Sequence, residues 1–513
     1  MIADFPTMSR TIPAVLVALL LAACPDPRSV FEGEGEGEGE GEGEGEGERE
    51  GEGEGEGEGE GEGEGEGEGE GEGEGETRLP WSYDACAGIS TAGRPFGDVI
   101  ARWRAADAAQ APPPGQIVAV GSSSMRRWPT AFAALSPWGV VQRGFGGARL
   151  ADVAASADDV IVRAHPSAVL LFAGTNDVAD GFAAAEVVDA WRCVVQRVFA
   201  AQGPTPIFFV GITPVPARAD RWDVAAAVND AVAADAAQHP SLSYIDMATA
   251  LFATGDPPDP ALFVADGIHL STQGYALWTS TIVNAIAGLP LRPRPAPTSG
   301  LPPGSLVRVD LGPDDGVDGI GAPAVDGFGI HWNEWSGIHG NEQVLAGEAL
   351  RALVTTTGSA SDVAVVITGG FRANGLRNGG LLHPDGARLG TMAVAEATSD
   401  FFFVGVDPDD SGGLALTGLR PGARHTVRLF GSRSTRDERR VTRYLVSGAD
   451  RPVSLELVTS GAGVGADGSD GNVSVVTVAT GVVADAWGQI LIDVDVAEGQ
   501  FAYLSLLEVE AER

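Results

Sequence analysis

Basic residues are scarce in this sequence, and their scarcity excludes one large class of partner. The 513 residues include 33 Lys and Arg against 71 Asp and Glu, a formal net charge of −38. Binding to nucleic acid requires clustered basic side chains that neutralise phosphates, so we expect no nucleic-acid partner. Much of the acidity is local, because residues 32–76 alternate Glu and Gly, with Arg49 in place of one glycine.

Cysteine is also rare, with three in the chain. The first, Cys24, closes an apolar run at residues 12–23 that follows Arg10. The run is short for a bilayer-spanning helix, and its end, Leu21-Ala22-Ala23-Cys24, resembles a bacterial lipobox. We therefore predict a lipoprotein signal peptide over residues 1–24, with lipidation at Cys24. The alternative is a plain signal peptide with a chance cysteine.

A lipidated cysteine implies an exported protein whose lipid holds it to a membrane of the bacterial cell envelope, periplasmic or on the outer surface. The alternative signal implies a secreted protein. The other two cysteines, Cys86 and Cys193, could pair in an exported chain. They could equally be two buried thiols that never meet, because the sequence gives no distance between them.

The Glu-Gly tract fills most of residues 25–76 and is predicted to be a disordered linker. It offers no apolar side chain to bury, and its glutamates repel one another. We expect an extended tether that holds the folded part of the chain away from the membrane.

Residues 77–290 show the pattern of an α/β domain. Five short apolar runs predict buried strands, at residues 117–120, 140–142, 168–172, 207–212 and 242–245. Segments with helical spacing lie between them, as at residues 183–201 and 223–237. Continuous apolar strands separated by helices indicate a parallel sheet covered on both faces, and hence a three-layer α/β/α fold.

A Pro-rich linker at residues 291–304 precedes a different pattern. Residues 305–513 contain short strand-like runs separated by Gly, Asp and Asn, without a long helical pattern. The runs lie at residues 306–311, 363–368, 401–406, 425–430, 442–446, 473–479, 489–494 and 503–509. Many short strands with Gly-rich turns predict an antiparallel β-sandwich or jelly roll.

Four short blocks in residues 77–290 carry side chains suited to catalysis. They are Gly121-Ser122-Ser123-Ser124, Gly144-Phe145-Gly146-Gly147, Gly174-Thr175-Asn176-Asp177 and Asp266-Gly267-Ile268-His269. A serine nucleophile needs a base, and an Asn amide can donate to an oxyanion. A carboxylate near a histidine can hold Nδ1–H and leave Nε2 free. Taken singly, each block has a structural alternative, such as a helix cap, a tight turn or a structural histidine.

Together the four blocks resemble the SGNH (GDSL-type) hydrolase family in order and position. The resemblance covers residues 77–290 and implies a flavodoxin-like sheet and a carboxylic ester hydrolase. It implies Ser123 as nucleophile, His269 as general base and Asp266 as its orienting partner. The N–H groups of Ser123 and Gly147 and the side chain of Asn176 would form the oxyanion hole. The resemblance implies neither a metal nor a cofactor.

Two positions depart from the family pattern. Ser122 stands where the family usually has Asp, and Gln142 stands where many members have Asn. Neither position carries the proton transfer or the oxyanion contact, so the departures bear on loop placement and substrate range. The implied reaction is acyl transfer through an acyl-enzyme, and we expect it to slow as His269 protonates, near or below about pH 6.5.

The expected substrate is an ester, and the leading hypothesis is deacetylation of an acylated polysaccharide. Arg126, Arg127 and Arg143 could contact an anionic or sugar substrate, or could brace loops. In the C-terminal region, residues 331–335 suit either sugar binding or a core Trp with turn residues, and residues 467–472 suit a plain turn better than a calcium loop. The alternatives for the whole protein are a lipid esterase at the membrane surface and a non-catalytic surface glycan-binding protein.

Overall fold

The computed structural model describes residues 78–89, 96–289, 291–406 and 412–513. The predicted signal peptide, the lipidation site Cys24 and the Glu-Gly linker lie outside the described residues. All described residues belong to one unit, Gly71–Arg513. None of the helices in these ranges has the length and apolarity needed to cross a bilayer.

A parallel sheet forms the centre of residues 96–289, the α/β region, and confirms the predicted fold class. Its described strands are β1 (Ile117–Gly121), β2 (Val140–Gly144), β3 (Ala168–Phe172), β4 (Ile207–Val210) and β5 (Leu242–Ile245). They are ordered β2-β1-β3-β4-β5. Alternate residues of β1 enter different cores, with Val118 and Val120 on one face and Ile117 and Ala119 on the other. Both faces of the sheet are therefore buried, as continuous apolar strands require.

Helices lie between the strands and cover both faces of the sheet. In chain order they are α1 (Gly97–Ala109), α2 (Ser123–Arg126), α3 (Ala131–Ala134), α4 (Leu150–Ala155), α5 (Ala157–Val160), α6 (Thr175–Ala179), α7 (Ala184–Gln202), α8 (Trp222–Ala236), α9 (Met247–Phe252) and α10 (Thr272–Ala287). Short 3-10 turns occur at Val162–Ala164, Pro216–Arg221 and Pro260–Leu262. Trp191 of α7 packs on Phe209, and Trp278 of α10 packs on Phe172.

Cys86 and Cys193 form a disulfide, with their Cα atoms 4.7 Å apart. The bond ties the segment before α1 to the middle of α7. Of the two possibilities left open by the sequence, the structure therefore has the paired cysteines.

The C-terminal β region, residues 305–513, is an all-β structure, as predicted. Its described strands are β6 (Leu306–Asp310), β7 (Asn333–Glu334), β8 (Gln343–Val344), β9 (Ala349–Leu350), β10 (Ala364–Gly369), β11 (Phe371–Asn374), β12 (Phe401–Gly405), β13 (Gly412–Thr417), β14 (Arg424–Phe430), β15 (Arg440–Ser447), β16 (Val453–Ser460), β17 (Thr477–Val483), β18 (Ile490–Glu498), β19 (Phe501–Leu504) and β20 (Leu506–Ala511). Short helices lie at α11 (Gly386–Leu389) and α12 (Ala395–Thr398), with 3-10 turns at Leu376–Asn378 and Gly390–Met392.

These strands form sheets ordered β16-β15-β18-β13-β10-β9, β19-β12-β11-β8 and β17-β14-β20-β6-β7. Pairing is antiparallel except between β6 and β7. The predicted single strand at 503–509 is two strands in different sheets, because the chain changes partner at Ser505, whose N–H donates to Phe430. The predicted run at 473–479 begins later, at Thr477, because the Asn472 side chain first closes a turn with Val475 N.

The Pro-rich segment 291–304 contains no helix or strand but packs against both regions. Arg294 donates to the Ser136 carbonyl and to the Trp487 carbonyl, each at 3.1 Å. Ala415 of β13 is fully buried in the core beneath α10. The α/β region and the β region therefore share a packed interface.

Candidate active site

The first block begins where β1 passes close to β3. Gly121 has φ +145°, and a Cβ there would lie 1.8 Å from the Phe172 carbonyl oxygen, so this approach requires glycine. Ser123 follows as the first residue of α2. The Gln142 side chain donates to the Met125 carbonyl at 2.6 Å. This departure from the family pattern therefore braces the turn that carries Ser123.

Ser123, His269 and Asp266 form a hydrogen-bonded chain. His269 Nε2 lies 2.8 Å from Ser123 Oγ, and His269 Nδ1 lies 2.6 Å from Asp266 Oδ2. Ser123 comes from the end of β1, whereas the other two residues occupy a turn shortly before α10. This geometry lets Nε2 accept the serine proton while the carboxylate holds the opposite ring nitrogen.

Asp266 is kept ionised by the same turn. Partial burial favours the neutral carboxyl, but hydrogen bonds from the His269 ring and from the N–H groups of His269 and Ile268 outweigh it. The two backbone bonds measure 2.9 and 2.8 Å. The hydrogen bond from the His269 ring and these two backbone bonds together lower the pKa of Asp266 to about 2, so the side chain is a carboxylate at neutral pH.

Gly147 and Asn176 line the same cleft as Ser123 and His269. Gly147 has φ +82°, a conformation that favours glycine. The Asn176 side chain donates from Nδ2 to the Ala148 carbonyl at 3.0 Å. An amide nitrogen carries two N–H groups, and this is the one Nδ2 contact within the described part of the chain, so a second N–H can donate to an oxyanion.

Asp177 joins the second and third blocks. Both of its carboxylate oxygens lie 3.1 Å from the Leu150 N–H. Burial raises the pKa of Asp177 to about 6, although the Leu150 N–H opposes this change. Asp177 therefore has a structural role, in which it holds the loop between Gly147 and Leu150 against α6.

Arg218 was not found by sequence reasoning. It donates to the Thr175 carbonyl at 2.8 Å and to Asn176 Oδ1 at 3.2 and 3.3 Å. Pro216–Arg221 is a 3-10 turn with no recognisable motif, so no sequence signal pointed to this contact.

The three arginines of interest in the sequence have different positions. Arg143 is 1% exposed and binds Asp107 at 2.8 and 2.9 Å, so it braces the fold. Arg126 and Arg127 line the cleft beside Ser123.

The two candidate segments of the β region have structural roles. Trp332 and Trp335 in residues 331–335 are buried, and the Trp332 ring donates to Asp326 at 2.8 Å. In residues 467–472, Asp467 accepts from Ser469 N at 2.9 Å in a local turn. Within the described part of the chain, no group of three or more His, Cys, Asp or Glu residues is arranged to hold a metal ion.

Comparison with known protein families finds a match within the α/β region. Residues 96–277 match the model of the GDSL-like lipase/acylhydrolase family. No curated protein matches the chain.

Solved structures similar to this chain include three hydrolases. The lipase/acylhydrolase from Enterococcus faecalis is 19% identical, with 35% of this chain and 100% of that chain covered and a TM-score of 0.29. A GDSL-like lipase from Bacteroides thetaiotaomicron is 17% identical, with coverages of 37% and 97% and a TM-score of 0.32. A carbohydrate esterase family 3 protein from Talaromyces cellulolyticus is 18% identical, with coverages of 34% and 97% and a TM-score of 0.28.

Proposed function

We propose that this chain, a carboxylic ester hydrolase whose residues 96–277 match the model of the GDSL-like lipase/acylhydrolase family, cleaves its substrate through Ser123, His269 and Asp266. The observation that carries the proposal is the chain of 2.8 and 2.6 Å contacts among these side chains. The leading substrate is an acetylated carbohydrate.

In the proposed mechanism, His269 Nε2 takes the Ser123 proton as the hydroxyl oxygen attacks the ester carbonyl. Asp266 stabilises the imidazolium that forms. The developing oxyanion is met by the N–H groups of Ser123 and Gly147 and by the Asn176 amide, and removal of one such donor typically costs about 3 kcal/mol. His269 then returns the proton to the departing alcohol, and water hydrolyses the acyl-enzyme through the same base.

The lipid esterase alternative also has a structural observation in its favour. An apolar pocket with a volume of about 120 Å³ lies beside the Asn176 helix, and its lining includes Val178, Ile212, Trp222 and Phe252. Such a pocket would suit an acyl chain. The catalytic cleft itself combines apolar groups with polar side chains around Ser123, and these polar side chains suit a polar alcohol part.

The decisive experiment compares the full chain with Ser123→Ala on 4-nitrophenyl acetate. Ser123→Ala should lower the rate of hydrolysis on the order of 10³-fold or more, because the variant lacks the nucleophile. Ser122→Ala and Ser124→Ala are matched controls that should retain activity. Equal rates for wild type and Ser123→Ala would refute the catalytic proposal and favour the non-catalytic glycan-binding alternative.

Substrate class is then tested in two ways. Acetate release from a panel of acetylated polysaccharides should depend on Ser123. A series of nitrophenyl esters should be hydrolysed best at short chain length. A rate that rises steadily toward long acyl chains would instead support the lipid esterase.

We also propose that the chain is exported and anchored through a lipid on Cys24, with the Glu-Gly linker as a tether. Support comes from the sequence alone. Expressed in a bacterial host, the wild type should fractionate with membranes, and Cys24→Ser should not. Identical fractionation of the two proteins would contradict the anchor on Cys24. Recovery of both proteins in the soluble fraction would favour a secreted protein.

A further inference from the structure

The catalytic cleft is built by both regions of the chain. It has a volume of about 640 Å³, and its lining includes Ser123 and His269 from the α/β region and Gln343 and Leu345 from the β region. The β region therefore supplies one wall of the space in which an ester bound at Ser123 would lie.

This wall is held in place by close backbone packing. Gly347 has φ +91°, and a Cβ there would lie 1.7 Å from the Gln142 carbonyl oxygen, so the approach requires glycine. The Gly347 carbonyl accepts a 3.0 Å hydrogen bond from the buried Arg143. Leu345 is 8% exposed and belongs to the core of the α/β region. The segment is therefore a fixed part of the cleft.

The apolar pocket beside α6 is a close neighbour of this cleft. Consecutive residues of α6 line the two cavities, Thr175 the pocket and Asn176 the cleft. Arg218 lines both cavities, and it is the one residue that the two linings share within the described part of the chain. The Arg218 side chain therefore stands between the cleft that contains Ser123 and the apolar pocket.

The Arg218 side chain is held in this position at both of its ends. Its guanidinium donates to the Thr175 carbonyl at 2.8 Å and to Asn176 Oδ1 at 3.2 and 3.3 Å. At the backbone end, the N–H of Ala217 donates to the carbonyl of Gly267, in the turn that carries the catalytic base, at 3.1 Å. Arg218 therefore reaches from beside the catalytic turn to the first turn of α6.

The pocket behind Arg218 offers a mainly apolar lining. Trp222 and Phe252 pack edge to face there, with ring centroids 5.2 Å apart. Val178 and Ile212 add aliphatic surface. An apolar cavity of about 150 Å³ is large enough to bind benzene. The pocket, with a volume of about 120 Å³, therefore has room for an aliphatic chain of about four carbons.

We propose that Arg218 separates the catalytic cleft from the apolar pocket and thereby limits the length of the acyl chain that the enzyme accepts. Arg218 contacts Asn176, whose amide is the proposed donor to the ester carbonyl. An acyl chain that extends from Ser123 toward α6 therefore meets the guanidinium, and a short acyl group such as acetyl is favoured. This proposal rests on the proposed function, because it concerns the acyl group that is transferred to Ser123.

The test compares kcat/KM for 4-nitrophenyl butyrate and 4-nitrophenyl acetate, measured on the full chain. The ratio of the two values within one variant cancels a loss of activity that is common to both esters. Arg218→Ala should raise the butyrate-to-acetate ratio about tenfold over wild type, as expected for burial of two further methylene groups. Arg218→Met loses the same hydrogen bonds but keeps a long side chain, so its ratio should rise less.

A second substitution tests whether the gain comes from the pocket. Ala225 of α8 belongs to the pocket lining, and Ala225→Leu would fill part of the volume. The Arg218→Ala/Ala225→Leu variant should therefore return to a ratio near that of the wild type. Arg163, which pairs with Asp159 and lines neither cavity, provides the control Arg163→Ala, for which the ratio should not change.

A further measurement needs the wild type alone. A butylphosphonate 4-nitrophenyl ester reacts with Ser123, so that a bond forms between Oγ and phosphorus and nitrophenolate leaves. In a crystal structure of this adduct, the butyl chain should lie in the catalytic cleft and outside the apolar pocket.

A wild-type adduct with its butyl chain in the pocket would overturn the proposed role of Arg218. An unchanged ratio in Arg218→Ala, equal ratios in Arg218→Ala and Arg218→Met, or a raised ratio that persists with Ala225→Leu would do the same. Failure of the proposed function has a different signature, since Ser123→Ala would then match the wild type on 4-nitrophenyl acetate. Ser123-dependent hydrolysis with an unchanged ratio in Arg218→Ala would refute the role of Arg218 alone.

Discussion

Arg218 donates to the side-chain oxygen of Asn176 at 3.2 and 3.3 Å, and this contact fixes the orientation of the amide in the cleft that also contains Ser123. With Oδ1 held by the guanidinium, Nδ2 is the end that remains to donate. The contact makes Arg218 a positioning residue for the proposed oxyanion hole.

We therefore expect Arg218→Met to lower kcat on a neutral acetyl ester by about tenfold, with a smaller change in KM, because the loss falls on transition-state stabilisation. The measurement is a double-mutant cycle with Asn176→Ala. Arg218→Met should have little further effect in the Asn176→Ala background. Fully additive losses would show that Arg218 acts independently of Asn176.

The pH dependence of hydrolysis should reflect His269 and not Asp266. The pKa of Asp266 is lowered to about 2. Its carboxylate therefore stays charged throughout the ordinary carboxyl range and is neutralised only as the pH falls to about 2. Activity should nevertheless decline at acidic pH, because protonation of the imidazole removes the general base. A rate profile on 4-nitrophenyl acetate that stays flat from pH 8 down to about pH 4 would contradict this assignment.

Asp266→Asn should reduce kcat across the whole pH range, since an amide cannot stabilise the imidazolium. A loss on the order of 10³ to 10⁴-fold is expected for a triad of this kind. Asp158→Asn, which changes a surface carboxyl of α5 that pairs with Arg197, serves as the matched control. Comparable activities for the two variants would remove Asp266 from the mechanism.

The disulfide should contribute to stability through the length of the loop that it closes. Cys86 and Cys193 are separated by 107 residues, and a loop of this length corresponds to roughly 4–5 kcal/mol of chain entropy. The Cys86→Ser/Cys193→Ser variant should lower the urea midpoint, and reduced wild type should behave like the variant. An unchanged midpoint in both cases would show that the bond contributes little.

The β region should lose stability as the pH rises, because it buries two carboxyl groups together. Asp310 and Asp400 are at most 1% exposed, and burial followed by their mutual interaction raises the pKa of Asp400. A raised carboxyl pKa gives stability that is present at low pH and is lost as the pH rises through the folded-state value. Asp400→Asn should flatten the dependence of Tm on pH, and a wild-type Tm that rises continuously with pH would contradict the prediction.

Strands and site residues could be predicted from the sequence where a short segment of the chain determines them. The runs at 168–172 and 242–245 correspond to β3 and β5 because each is a short apolar segment with clear ends. Asp266 and His269 were recognisable because three residues of spacing suffice to bring them together. Parallel strands also deliver the ends of β1 and β3 to the same edge of the sheet, so Ser123 and Asn176 could be expected to meet.

Other features depend on packing that no short pattern encodes. Strand β16 was missed because most of its first residues are exposed or half-exposed and give no apolar run. Arg218 and Gln343 lie outside every motif, and only the folded chain brings them to the cleft. The packing of the β region against the α/β region, through Arg294 and Gly347, is another such feature, because no pattern in the sequence encodes these contacts.

Gly347 of the β region lies so close to Gln142 that a Cβ there would be 1.7 Å from the Gln142 carbonyl oxygen. This contact limits which changes to the β region the protein can accept. A version cut after residue 290 would retain Ser123, Asn176, Asp266 and His269 but would have an open side at its substrate entrance. Conversely, a foreign C-terminal region could replace the native one only if it presented a residue without a side chain against Gln142. Selection for a new substrate could therefore act through the β region without changing a single catalytic residue.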